Sequence, residues 1–187
     1  MSIKAAVKDH FASVPISRHL KTHFEYLYGL NSFESSYNDG NLLIRNFTLK
    51  DIDKCADLFK EVFSAYPWYD NWVSVQQTRT YLMELIENPV FEGYVAYNGS
   101  DIAAVCFGHK RSFWTGKEFF IDEFYVRNEN QGNGIGTGML TYVKESLMKE
   151  EYTRLVLLTN KRMPAEEFYI KNGFYNNQDR TVMVKEI

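Results

Sequence analysis

The sequence is short of several things, and each shortage excludes a class of protein. Its 187 residues include two cysteines, Cys55 and Cys106, both in apolar patterns. They read as reduced core thiols rather than a disulfide, as expected of a cytoplasmic protein. No apolar run approaches the roughly 20 residues that a membrane-spanning helix needs. The N-terminal stretch lacks the continuous apolar segment of a secretion signal. There is no excess of positive charge: 21 Lys and Arg against 24 Asp and Glu leave a net charge of −3, which argues against nucleic acid as a partner. Internal repeats and low-complexity segments are absent. What remains is 45% hydrophobic and 24% charged, as in an ordinary globular domain, with an aromatic content of 16% that suggests a core or pocket rich in rings. The length suits one domain with an extension.

The densest signal is Phe119 to Met139, FFIDEFYVRNENQGNGIGTGM. Phe119 to Val126 is apolar and aromatic except at Asp122 and Glu123, as expected of a mostly buried strand. Polar loop residues follow, then three alternating glycines, Gly132, Gly134 and Gly136, then a helical pattern. Glycine tolerates positive φ and lets a ligand approach the backbone. A helix start behind such a loop offers unpaired N–H groups and a positive dipole end to an anion. The dinucleotide pattern G-x-G-x-x-G fails in both frames, ending on Thr137 or Met139, and no Gly-Lys-Ser/Thr follows as a P-loop requires.

Around this stretch the elements fall in a clear order. Ser32 to Asn41 is turn-rich and marks a boundary, and Pro15 to Tyr28 before it has helical spacing. Leu42 to Phe47 reads as a strand. Thr48 and Asp51 form a capping box before a helix with Ile52, Cys55, Phe59, Val62 and Phe63 inward; Ser74 and Gln77 form another before a helix with Val75, Thr78, Leu82 and Leu85 inward. Strands at Gly93–Tyr97 and Ile102–His109 flank an Asn-Gly turn, and the Phe119 strand completes three antiparallel strands. A helix from about Gly134 to Glu150, a strand at Arg154–Thr159, a helix opening at Pro164 and closing at Gly173, and a final strand at Thr181–Ile187 finish the chain. His19 and His23 stand at i, i+4, but without a third ligand, so no metal site is expected.

Gln131, Gly134 and Gly136 satisfy Q/R-x-x-G-x-G/A, and the chain resembles the GNAT acyltransferase superfamily at this motif, in IDEFYV before it, and in Ala165-x-x-Phe168-Tyr169-x-Lys171-x-Gly173-Phe174 after it. The resemblance covers about residues 42 to 187. It implies an α/β (α+β) fold with a central mixed, mostly antiparallel twisted sheet flanked by helices. Residues 1–40 are then a partly helical N-terminal extension and 41–187 the acetyltransferase domain.

The resemblance also implies acetyl-CoA as co-substrate and an N-acetyltransferase acting by direct transfer in a ternary complex; no cysteine lies in a catalytic motif. Glu123 matches the position of the family's frequent base, and by strand alternation Asp122 faces the opposite side. Tyr169 matches the tyrosine placed near the CoA sulfur and is the candidate acid. Phe124, Tyr125 and Val126 would offer backbone groups to the pantetheine. Gln131, Gly132, Asn133, Gly134, Ile135, Gly136 and Thr137 would hold the pyrophosphate. Many members carry Asn where this chain has Arg162; Asn160 is the nearest replacement. For the acceptor, Tyr66, Trp68, Tyr69 and Trp72 between the first two helices, and Trp114 in a later turn, offer faces for a cationic amine at ~0.5–2 kcal/mol. Packing of those rings onto the core is the competing reading. The loops look somewhat like aminoglycoside 6′-N-acetyltransferases, which favours a small-molecule amine. A non-catalytic acyl-CoA-binding module and a protein Lys or N-terminal acetyltransferase stay open as alternatives, as does a homodimer. No nucleic acid and no membrane partner is expected.

Overall fold

The computed structural model describes Leu27, Tyr28, residues 37–39 and residues 42–187. The His19/His23 pair and most of the Pro15–Tyr28 helix expectation lie outside the described residues. Leu27 itself is buried against the rest of the protein.

A six-stranded sheet runs in chain order: β1 Tyr37–Asp39, β2 Leu42–Asn46, β3 Phe91–Asn98, β4 Asp101–Phe113, β5 Gly116–Val126 and β6 Tyr152–Leu157. All neighbours are antiparallel except β5 and β6, which are parallel. Between β2 and β3 lie a 3-10 turn at Leu49–Asp51, α1 Ile52–Phe63 and α2 Val75–Ile86; α3 Ile135–Met148 connects β5 to β6, and α4 Pro164–Lys171 follows β6. The parallel pair needs a crossover, and α3 supplies it. β1 falls inside the turn-rich Ser32–Asn41 stretch and adds an edge strand, Tyr37 opposite Ile44.

Two cores cover the two faces of the sheet. On one, Cys55, Leu58, Phe59 and Val62 of α1 and Leu82 and Ile86 of α2 meet Val95, Val105, Phe107 and Tyr125. On the other, Met139, Leu140, Val143 and Leu147 of α3 meet Ala96, Ala104, Cys106, Phe119 and Ile121, and Tyr169 of α4 joins them. Each fully buried large apolar side chain stabilises by roughly 1.5–3 kcal/mol. The two cysteines are free and buried on opposite faces. Val75, expected inward, is 38% exposed in the first turn of α2.

Both helix-start readings hold. The Ser74 hydroxyl accepts from Gln77 N–H at 3.1 Å. Thr48 N–H donates to Asp51 Oδ2 at 2.9 Å. Asp51 does more than cap: it is 2% exposed, takes both Arg45 guanidinium nitrogens at 2.8 Å and accepts from Tyr97 hydroxyl at 2.7 Å. It thereby ties β2, β3 and the start of α1 together.

The expected final strand does not form. Thr181–Ile187 has no strand pairing, and Val182, Met183 and Val184 are 64%, 88% and 86% exposed. Alternation of apolar and polar residues describes a strand's faces, but a strand also needs a backbone partner, and here none is in register with the segment. The chain leaves α4 and passes the β4–β5 hairpin, where the Arg180 guanidinium lies over the Phe113 ring at 5.6 Å. Among the described residues no helix is long and apolar enough to cross a membrane.

Candidate active site

The site begins where β5 leaves β6. The parallel pairing ends at Ile121 opposite Leu157. From Glu123 to Val126, β5 is paired only with β4, so its other edge is open. This splay opens a cavity of about 390 Å³. Its walls are Phe124, Tyr125 and Val126 of β5; Val62, Phe63, Pro67 and Trp68 at the end of α1; and Pro164, Ala165, Phe168 and Tyr169 of α4. Gln131, Gly132, Gly134, Gly136 and Thr137 close one end.

The three loop glycines do different work. Gly132 and Gly134 have φ of 76° and 82°, and a Cβ on either would meet nothing within 4 Å. Left-handed backbone is what they supply. Gly136 is buried, and a Cβ there would stand 3.1 Å from Phe168 Cζ and 3.3 Å from Val126 Cγ2. Its absence lets the start of α3 close against α4 and the strand end. The Gln131 side chain donates to Val126 carbonyl at 3.0 Å and to Asn128 Oδ1 at 3.1 Å, which folds the loop back onto β5. α3 starts at Gly134 with no side-chain cap and no acidic residue in its first turn. Its first N–H groups therefore lack an intrahelical partner and face the glycine end of the cavity, as an anion site requires. An apolar channel beside an uncapped helix start fits a pantetheine arm and a pyrophosphate.

Glu123 owes its direction to a bulge. Phe107 pairs with Glu123, yet the next residue, Gly108, pairs with Ile121, so Asp122 is an extra residue in β5. The bulge reverses the phase of the strand. Before it, Phe119 and Ile121 face the α3 core; after it, Tyr125 faces the α1–α2 core and Phe124 and Val126 pack against the other. Glu123 shares the side of Tyr125. Simple alternation, which set Asp122 on the opposite face, fails here. Asp122 Oδ2 lies 2.8 Å from His109 Nδ1, and the Asp122 charge bears on Glu123.

The Tyr81 hydroxyl of α2 donates to Glu123 Oε1. Burial pushes the Glu123 carboxyl up; the Tyr81 hydrogen bond opposes this, and the charges of Asp122 and Asp70 add to it, leaving it at about 7. A carboxylate poised there suits general-base work near neutral pH. Tyr169 is 9% exposed and packed against Phe124, Phe168 and Phe174. Burial chiefly, then Cys106 and Glu123, pushes its phenol well above the ordinary range, so it remains a protonated donor.

The other expected site residues are distributed unevenly. Trp68 lines the cavity and packs on Phe63 at 5.6 Å. Trp72 packs on Phe59 at 5.0 Å and Tyr81 at 5.3 Å. Tyr66 and Tyr69 are 69% and 70% exposed and contact each other at 6.1 Å. Trp114 is 87% exposed at the tip of the β4–β5 hairpin; at about 3.3 Å per residue it stands more than 20 Å along the strand from Glu123. Asn133 and Asn160 are exposed and do not line the cavity, and Ile135 packs into the α3 core. Arg162 adopts φ of 66°, and its N–H donates to Glu166 Oε2 at 2.6 Å.

Sequence reasoning missed Tyr81 and the His109–Asp122 pair. Tyr81 carried a weak signal: it lies three residues after Thr78 and four before Leu85, on the inward face of α2. The bulge that makes His109 and Asp122 partners left no trace in the pattern.

Residues 89–176 match the family model described as the acetyltransferase (GNAT) domain. No curated protein matches the chain. Among solved structures, an aminoglycoside acetyltransferase from an uncultured soil metagenomic sample, in complex with sisomicin, is 16% identical with a TM-score of 0.65, over 80% of this chain and 98% of that one. A ribosomal-protein-alanine N-acetyltransferase from Brucella melitensis is 16% identical with a TM-score of 0.61, over 78% and 99%. A GNAT family acetyltransferase from Staphylococcus aureus is 15% identical with a TM-score of 0.59, over 79% and 99%. At these identities the neighbours speak for the fold, and the matched segment spans the splayed strand, the glycine loop and α4. Over residues 89–176 the chain matches a GNAT acetyltransferase domain, and the co-substrate of that family is acetyl-CoA.

Proposed function

We propose that this protein is an N-acetyltransferase that moves an acetyl group from acetyl-CoA to the primary amine of a small cationic molecule, directly and within a ternary complex. The reading is carried by one arrangement: Glu123 and Tyr169 on either side of the splayed end of β5, next to the uncapped start of α3. Acetyl-CoA would supply the activated acetyl group, with its pantetheine along Phe124–Val126 and its pyrophosphate at the N–H groups of Gln131–Thr137. Glu123, as carboxylate, takes the proton of the incoming ammonium and leaves a nucleophilic amine. The Tyr169 hydroxyl donates a proton toward the departing sulfur. Closure of the cavity by Trp68 and Phe63 excludes water from that exchange. Direct transfer is favoured because Cys55 and Cys106 are both buried at 0% exposure, which leaves no accessible thiol to carry the acetyl group.

The amine class rests on the surroundings of Glu123. Asp122 and Asp70 act on it, Trp72 packs on its partner Tyr81, and Trp68 lines the cavity, a setting that favours a cation over a neutral acceptor. The test is release of free CoA thiol from acetyl-CoA with a panel of aminoglycosides, polyamines, amino acids and lysine peptides, for wild type, Glu123→Gln and Tyr169→Phe. Turnover on a small amine that both substitutions weaken supports the reading. Turnover on lysine peptides alone, or none with any amine despite acetyl-CoA binding, overturns it.

A further inference from the structure

Resting on that reading of Glu123 as the base, the geometry points to Tyr81 as its positioning residue: the hydroxyl it donates to Oε1 fixes the carboxylate and leaves Oε2 to address the acceptor. Two observations converge. The first is the hydrogen bond itself, which links α2 to the bulged end of β5 across 42 residues of sequence. A glutamate has three side-chain torsions, and a donor held by a different element removes much of that freedom.

The second is the way Tyr81 is held. Its ring lies 5.3 Å from Trp72 and 5.6 Å from Phe59, and Phe59 in turn meets Trp72 at 5.0 Å and Tyr125 at 5.3 Å. Three rings from α1, α2 and the intervening loop thus form one cluster of edge-on and tilted contacts against the strand that carries Glu123. Lys60 Nζ donates to the Trp72 carbonyl and pins the loop end of that cluster. Neither Tyr81 nor Glu123 is among the residues that line the cavity; Glu123 adjoins it next to Phe124, and Tyr81, one side chain further out on α2, acts through Glu123 rather than on the substrate.

The charged and titratable groups around the pair are few. Asp122 is on β5 itself and is engaged by His109 of β4; Asp70 comes from the α1–α2 loop; Glu84 is on α2 beside Tyr81; Tyr125 and Tyr169 feel the Glu123 charge from β5 and α4. Asp122 and Asp70 oppose ionisation of Glu123, while the Tyr81 donor favours it. Removal of the donor therefore moves Glu123 titration upward and leaves the carboxylate free to rotate.

The experiment compares wild type with Tyr81→Phe, which keeps the ring and its packing. The first readout needs no activity: ¹³C NMR titration of the side-chain carboxyl of Glu123, assigned by its loss in Glu123→Gln. Its midpoint moves to higher pH in Tyr81→Phe. An unmoved midpoint overturns the proposal. The second readout is kinetic. At neutral pH, kcat falls roughly tenfold or more, the range for a lost hydrogen bond to a charged group, with the KM for acetyl-CoA unchanged. In the Glu123→Gln background the same substitution has little further effect. An equal loss in both backgrounds means Tyr81 acts independently and overturns the positioning role. If Glu123→Gln itself keeps full activity, the base assignment fails while the titration still reports on the Tyr81 contact.

Discussion

Glu123 predicts an unusual stability profile. In an unfolded chain its carboxyl titrates near 4.5, and in the folded protein near 7. At 1.36 kcal/mol per pH unit this displacement amounts to roughly 3 kcal/mol. The folded pKa lies above the unfolded one. Below about pH 4.5 the group is protonated in both states and has no effect. Between the two values the unfolded chain releases its proton first, so unfolding is increasingly favoured as pH rises. Above about pH 7 the full penalty is present. Glu123→Gln replaces the acid by a neutral isostere whose Oε1 still accepts from Tyr81. The variant should match wild type in acid and exceed it by up to ~3 kcal/mol at about pH 8, which for a chain of this size raises Tm by roughly 6–12 °C. Urea unfolding of both proteins across this range measures the difference, in which all other titrations cancel. A difference that stays flat with pH, or a variant less stable than wild type at about pH 8, refutes the reasoning about burial at this site. With Glu123 proposed as the base, the same variant should lose acetyl transfer, a gain in stability at the expense of function that thiol release would report.

Three further outcomes are expected. Tyr169→Phe removes one hydroxyl from a packed ring cluster; kcat should fall roughly 10-fold or more with thermal stability within about 1 kcal/mol of wild type, read from thiol release and thermal melts. Gly136→Ala brings a Cβ to 3.1 Å from Phe168 Cζ; the resulting shift of α3 should raise the KM for acetyl-CoA severalfold and leave the KM for the amine nearly unchanged, by steady-state kinetics. Asp51→Asn weakens a carboxylate that takes both Arg45 nitrogens; burial raises its pKa, but Arg45, Tyr97 and Thr48 outweigh that and hold it below 3.8. Its stabilisation is present above the unfolded pKa and is lost as pH falls through the lower folded one. The variant should lose roughly 2–4 kcal/mol at neutral pH, and less in acid, in urea unfolding.

Much of this architecture was legible because each element carried its own local signal. The Thr48–Asp51 and Ser74–Gln77 boxes marked the starts of two helices, and the Asn98–Gly99 turn marked a hairpin that the structure contains. The glycine loop could be read from Gln131, Gly134 and Gly136 because each meets a local demand: positive φ at the uncapped start of α3 for Gly134, close approach to Phe168 for Gly136, and a side-chain tie to the Val126 carbonyl for Gln131. What escaped depended on non-local geometry. A bulge at Asp122 arises from the pairing of two strands and cannot be seen in one, so strict alternation gave the wrong side for that carboxylate. Tyr81 reaches Glu123 only because α2 crosses the sheet there. Trp114 resembled the other loop aromatics in sequence, but the long β4–β5 hairpin carries it away from the cleft. The Thr181–Ile187 alternation named two faces without a partner edge.

The most direct test of the central claim is the pH dependence of kcat/KM for acetyl transfer to an amine of the panel, with Glu123→Gln measured alongside. A base with its carboxyl near 7 predicts an acid limb with its midpoint at about that pH in wild type, and a variant that has lost most of the rate together with that limb. Equal rates for the two proteins, or the same limb in both, would contradict the account.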